Sequence, residues 1–172
     1  LRYSEDTFTT DVTNFLNVES FQEEGTTDEI TSRVVAEVDF SEDLMGYFAL
    51  ARGFKPGGSN LTFGFDDDNA PPMVFPTFEA ETVDSVEFGL KSTFADGAAR
   101  ANIAVFSYTY ENLQFQATDP DIYRGGVANI PESEMSGLEI EFTGFLTDSL
   151  SLDMNLAFLD SEVTSDYEVL DN

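Results

Sequence analysis

Apolar and polar residues alternate with a period of two along nearly the whole chain, and helical patterns of period 3.6 are hard to find. Successive side chains of a strand point to opposite faces, so this pattern describes β-sheet with two chemically different sides. Between residues 83 and 93, Val86, Phe88 and Leu90 share one face, and Ser85, Glu87, Gly89 and Lys91 take the other. Residues 134–145 repeat this, with Leu138, Ile140 and Phe142 opposite Gly137, Glu139 and Glu141. Residues 150–163 set Leu150, Leu152, Met154, Leu156 and Phe158 against Ser151, Asp153 and Asn155. Further strands are expected over 28–40, 44–55 and 100–115. The opening Leu1-Arg2-Tyr3-Ser4-Glu5-Asp6 reads as the middle of another strand, so the chain is expected to be a piece of a longer protein.

The connections between these strands alternate between short and long. Residues 41–43, 95–98 and 146–149 are tight turns, and Asp96-Gly97 supplies the positive φ that a hairpin demands. Residues 6–27, 56–82, 116–133 and 162–172 are expected as long loops. Outer-membrane barrels have this asymmetry, with short turns in the periplasm and long loops outside, whereas a sandwich gives no reason for it. Tyr47, Phe54, Phe94, Tyr108, Tyr110, Phe115 and Phe145 fall near strand ends or upper strand halves, where a barrel carries aromatic girdles.

Charge and composition narrow the function. The chain has 34 acidic and 7 basic residues and a formal charge of −27, which excludes nucleic acid as a partner, because phosphates are bound by Lys and Arg. It is nevertheless 41% hydrophobic with 17 Phe, unlike a disordered acidic chain. Without Cys there is no disulfide framework, and without His the commonest metal ligand and general base are missing. No run of 18 apolar residues exists, which removes a transmembrane helix but not a barrel, whose strands need only about 9–11 residues.

Several groups invite a functional reading beside a plainer one. Glu139 and Glu141 are i and i+2 on one face, a spacing of about 6–7 Å that suits a glycosidase pair; the plainer reading is a polar wall. Asp66, Asp67 and Asp68 offer hard oxygen ligands for Ca2+, without the full spacing of a calcium loop; the alternatives are a solvated acidic loop or a divalent-cation bridge to lipid headgroups. Arg52 to Gly58 is glycine-rich but lacks the order of a phosphate-binding loop and precedes no helix, so Arg52 and Lys55 are expected to pair with acids or to snorkel at an interface. Phe63, Phe65, Phe75 and Phe78 lie in the longest loop, where aromatics either bind a ligand or pack the loop against itself.

Four blocks carry a family resemblance. They are Tyr47-Phe48-Ala49-Leu50-Ala51-Arg52-Gly53-Phe54-Lys55-Pro56-Gly57-Gly58-Ser59-Asn60, then residues 81–91 (ETVDSVEFGLK), 104–114 (AVFSYTYENLQ) and 136–141 (SGLEIE). In order and wording they resemble the barrel of TonB-dependent outer-membrane receptors. The resemblance implies an all-β, antiparallel transmembrane barrel segment, part of a larger barrel whose N-terminal plug is not included, with all of residues 1–172 inside the barrel domain. It also implies active import of a scarce nutrient, such as a ferric siderophore, a cobalamin or a glycan fragment, and no catalytic residues. Implied partners are outer-membrane lipid and lipopolysaccharide, the TonB complex acting through the plug, and a small-molecule ligand held in part by external loops. No cofactor is expected beyond Ca2+ at the acidic loop. The competing reading is a secreted acidic β-sandwich or adhesin module that binds glycan or calcium, and it differs in burying its apolar face within protein.

Overall fold

A computed structural model describes residues 1–14, 19–60, 77–119, 124–147 and 149–165. The strands are β1 (Arg2–Asn14), β2 (Glu19–Ser41), β3 (Leu44–Lys55), β4 (Gly58–Ser59), β5 (Thr77–Phe78), β6 (Glu81–Phe94), β7 (Ala99–Asp119), β8 (Arg124–Thr147) and β9 (Leu150–Val163). Seven form one sheet in the order β1-β2-β3-β6-β7-β8-β9, and β4 and β5 form a separate small ribbon. Every pairing is antiparallel, each main strand beside the next main strand of the chain.

The register carries the alternation across the sheet. One continuous row runs Ala36–Phe48–Phe88–Val105–Leu138–Phe158, and the next runs Val38–Gly46–Leu90–Ile103–Ile140–Leu156. These residues share one face. The intervening row, Glu37–Tyr47–Gly89–Ala104–Glu139–Ala157, belongs to the opposite face. All nine residues expected on the apolar side (Val86, Phe88, Leu90, Leu138, Ile140, Phe142, Leu152, Met154 and Leu156) fall there, and Glu87, Lys91, Glu139, Glu141, Asp153 and Asn155 fall on the other.

The apolar face is uncovered. Phe88 is 59% exposed and Phe158 61%, and among the described residues the only buried apolar side chains are Phe106 and Ala128. No second sheet lies over this face among the described residues, as a sandwich would require. A continuous outward apolar band is instead what a bilayer selects. On β9 it runs from Leu150 to Phe158, about nine residues, the length a tilted strand needs to cross. Towards the long-connection end the band stops at a polar row, Ser32–Arg52–Asp84–Thr109–Glu134–Glu162. There Arg52 donates to Asp84 over 2.5 Å, the pairing expected for that arginine.

The short-connection end is tied laterally. The amide of Thr93 donates to the carbonyl of Asp43 (2.9 Å), and that of Phe145 to the carbonyl of Ala98 (2.8 Å), so each turn braces the next hairpin. In the β6–β7 turn, Ala95, Asp96 and Gly97 all take positive φ (55°, 55° and 87°). The Asp-Gly pair behaves as expected and Ala95 joins it.

Two expectations need correction. The sequence leads one to expect long loops over 6–27 and 116–133, yet β1 and β2 pair out to Asn14 and Glu19, and β7 and β8 pair out to Asp119 and Arg124. These are two-stranded ribbons that extend the barrel wall. Beyond the bilayer neither face meets lipid, so the apolar alternation that marks a strand fades while the backbone ladder continues. The girdle assignment also fails for four residues. Tyr47, Tyr108, Tyr110 and Phe145 share the polar face by register, with Glu37, Ser85, Val83 and Ser151 as cross-strand partners.

Leu138→Arg or Met154→Arg should destabilise the full-length protein in lipid by about 2–4 kcal/mol where the site lies near the bilayer midplane. Glu139→Arg on the opposite face should cost far less. Urea titration of the refolded protein in lipid vesicles reads the difference, and equal losses at Leu138 and Glu139 would reverse the facing assigned here.

Candidate functional site

The polar face is built from acids, aromatic rings and glycines in fixed register. Tyr47 lies flat over Gly89 on the adjacent strand, where a Cβ would collide with its ring. Its hydroxyl donates to Glu87 Oε1 at 2.6 Å, and Lys91 Nζ stands 5.2 Å from the ring centroid. One strand pair further on, Phe106 leans over Gly137, with Cζ 2.6 Å from where a Cβ would be, and stacks on Tyr108 at 4.9 Å between centroids. Both close approaches demand glycine at those positions. Towards the short-turn end, Asn102 Nδ2 donates to Glu141 Oε2 at 3.0 Å, and Thr143 donates to Asp153 at 2.7 Å. Glu139 and Glu141 thus stand on an exposed polar wall, and Glu141 is held by an amide.

At the long-connection end, a hydrogen-bonded cluster ties the β3–β6 connection to the β7–β8 ribbon. Asn60 grips the backbone of Val127 at both groups: its Nδ2 donates to the carbonyl at 2.8 Å, and its Oδ1 accepts from the amide at 2.7 Å. Asn129 Oδ1 accepts from the Glu79 amide (2.8 Å), and its Nδ2 donates to the carbonyls of Glu79 and Asn112 (3.0 and 2.7 Å). Gln114 Nε2 donates to the carbonyls of Pro56 (2.9 Å) and Glu79 (3.0 Å), while its own amide donates to Glu81 Oε2 (2.8 Å). Asn112 itself sits at φ 55°, the left-handed region that Asn tolerates better than most residues. On the other side, Thr10 and Ser59 share a hydroxyl hydrogen bond of 2.5 Å, which brings the β1–β2 ribbon into the same crown.

Of the aromatics singled out in the longest connection, Phe78 is half-buried with its ring against Gly58, the residue it pairs with across the β4–β5 ribbon. Phe63, Phe65 and Phe75 lie outside the described residues, as do Asp66, Asp67 and Asp68. Among the described residues no group of three acidic side chains is placed to hold a metal ion. Sequence reasoning missed Asn60, Gln114 and Asn129. The only signal was amides beside a glycine-rich exit and within residues taken for loop, which by itself does not distinguish a tether from ordinary surface.

The comparisons with known proteins converge. The family model for the TonB-dependent receptor-like β-barrel matches residues 1–172, and the chain belongs to that family. Such receptors reside in the outer membrane of Gram-negative bacteria, so the apolar face described above meets lipid and the polar face lines the barrel. The chain is 31% identical over 120 residues to a probable TonB-dependent siderophore receptor, PiuA, of Acinetobacter baumannii, covering 69% of this chain and 15% of that protein. It is 30% identical over 126 residues to the metal-pseudopaline receptor CntO of Pseudomonas aeruginosa, covering 73% of this chain and 16% of that one. The chain therefore spans about 15–16% of the length of these curated relatives. Among solved structures, it resembles the ferric yersiniabactin uptake receptor FyuA from Yersinia pestis with a TM-score of 0.70 at 20% identity, covering 95% of this chain and 23% of that one. It resembles the siderophore receptor PirA from Pseudomonas aeruginosa at 0.62 and 16% identity, covering 94% and 34%. At these identities the structures show the fold: an arc of a larger antiparallel barrel.

Asn60→Ala combined with Asn129→Ala should loosen the crown while leaving the membrane strands intact. Each broken tether costs on the order of 0.5–1.5 kcal/mol. Hydrogen exchange by mass spectrometry should show the amides of Glu79 and Val127 exchanging about tenfold faster or more, with the β6–β7 ladder unchanged. Unchanged protection at Glu79 would show that the tethers are incidental.

Proposed function

We propose that the full-length protein is an active importer of a metal chelate across the outer membrane. The observation that carries this reading is the match of the whole chain to the receptor barrel, together with curated relatives described as siderophore and metal-pseudopaline receptors. On this reading the lumen wall of Tyr47, Glu87, Lys91, Tyr108, Glu139 and Glu141 forms part of the passage, and these residues carry no catalytic step. The driving energy reaches the barrel from the TonB complex through a plug that lies in the protein's other segments. Lipid and lipopolysaccharide surround the apolar band, and the connection at residues 56–80, with Phe63, Phe65, Phe75 and Phe78, captures ligand at the mouth. Long connections usually carry function, since a barrel needs only short ones to close. The tethers to Asn60 and Asn129 favour this role, because they hold both ends of the connection at the mouth of the barrel. Asp66, Asp67 and Asp68 are proposed as a place for Ca2+ to join loop to lipopolysaccharide.

Uptake of radioactive iron by metal-starved cells tests the function. Cells lacking the gene should lose uptake of the cognate chelate, and loss of TonB should have the same effect. Deletion of residues 63–78 in the full-length receptor should weaken uptake by about tenfold or more with normal surface expression. Unchanged uptake in that deletion would move ligand capture to the plug or to other strands.

A further inference from the structure

We infer that a hollow on the lipid-facing side of the β2–β3 hairpin holds one acyl chain of a phosphatidylethanolamine, a zwitterionic lipid of the periplasmic leaflet. The inference rests on the facing of the sheet and is independent of the import reading. The hollow measures about 430 Å3 and lies between Ala36, Phe48, Phe88, Leu90, Ile103 and Val105. Its floor is the buried Gly46, which stands in the row Val38–Gly46–Leu90–Ile103, where its neighbours carry full side chains. Ala36, in the next row, leaves a second gap beside it. The walls stand clear of other protein: Phe88 is 59% exposed and Val105 54%. Phe48 and Phe88 pack ring to ring at 4.6 Å on one side, and the Phe40 ring closes the end near the turn, with Cε2 2.8 Å from where a Gly46 Cβ would be.

The height of the hollow identifies its occupant. It interrupts the continuous apolar band, so hydrocarbon is what meets it. Gly46 is six residues from Arg52 along β3, about 20 Å at a rise of roughly 3.3 Å per residue. With strands tilted by about 40°, that becomes roughly 15 Å of height in a band about 25 Å tall. The hollow therefore lies in the periplasmic half of the bilayer, directly above the turn at 41–43. A flat apolar wall touches a lipid chain on one side only. A hollow touches it on several, and every added pair of atoms contributes dispersion energy that an empty notch forfeits.

The rim facing the turn selects the headgroup. Ser92 stands on the lipid side in the row Leu44–Ser92–Ala101, two positions along β6 from Leu90. Its hydroxyl makes no hydrogen bond among the described residues. A hydroxyl at the edge of hydrocarbon needs a partner, and the ester and phosphate oxygens of a lipid supply one. Glu42 and Asp43, in the turn itself, are exposed and form no ion pair among the described residues. Lys91 and Arg100, the described basic residues of this end, fall on the lumen side by register. The lipid side of the turn is therefore acidic. It attracts the ammonium of an ethanolamine head and repels the net negative charge of a glycerol head.

Native mass spectrometry of the delipidated full-length receptor tests the site with two probes, dioleoyl phosphatidylethanolamine and dioleoyl phosphatidylglycerol. Wild-type protein should keep one molecule of the ethanolamine lipid under activation that strips the rest, and should keep the glycerol lipid at least fivefold less often. Ala36→Leu and Gly46→Leu, which fill the hollow from two strands, should each lower retention of the ethanolamine lipid at least fivefold. Ala36→Leu decides the matter if the clash with Phe40 prevents Gly46→Leu from folding. Glu42→Lys with Asp43→Lys should reverse the preference, so that the glycerol lipid is kept more often. Equal retention of the ethanolamine lipid by wild type and Ala36→Leu would overturn the site, and so would equal retention of the two lipids by wild type. A lipid-free dimer of the wild type that Ala36→Leu converts to monomer would give the hollow to a second copy of the protein and likewise overturn the proposal.

Discussion

Hydrocarbon offers no hydrogen-bond partner to a peptide N–H or C=O, so a chain that crosses a bilayer in extended form must satisfy every such group on a neighbouring strand. The antiparallel register of this chain is the answer to that demand, and its other features depend on it. Register places Val34, Ala36, Val38, Phe48, Leu50, Phe88, Leu90, Ile103, Val105, Leu138, Ile140, Leu156 and Phe158 in common rows on one face. A slip of one residue in any strand would turn Leu138 or Phe88 into the lumen and Glu139 or Glu87 into lipid. The unpaired edges at β1 and β9 follow from the same constraint: in the membrane they require the further strands of the full barrel.

On the lumen side the constraint is weaker and the chemistry more varied. Rings recline over glycines instead of standing off the sheet, so Tyr47 and Phe106 cover backbone that would otherwise lie bare. This geometry lets a tyrosine present its hydroxyl to Glu87 and its π face to Lys91 at once. The wall is therefore ordered by side-chain contacts across strands without a packed core among the described residues.

Beyond the bilayer the sheet continues as ribbons, and side-chain amides take over the work of holding them together. Asn60, Gln114 and Asn129 bond mainly to backbone groups, which fixes the position of the β3–β6 connection whatever side chains line its tip. Both ends of the connection are thereby anchored to the β7–β8 ribbon.

The two-residue period, the short turn at Asp96-Gly97 and the order of short and long connections were sufficient to place β3 and β9 at the bounds observed and to assign both faces of β6, β8 and β9. They sufficed because lipid on one side and water on the other write their difference directly into alternate residues. The ribbons at 6–27 and 116–133 were not legible, since strands wetted on both faces carry no alternation to read. Nor was the placement of Tyr47 and Tyr108, whose side follows from strand pairing and not from their nearness to a strand end. The amide tethers join residues that are far apart in the chain: 67 positions separate Asn60 from Val127. Which residues meet across such distances is decided by the order and register of the strands, and only the assembled sheet specifies both.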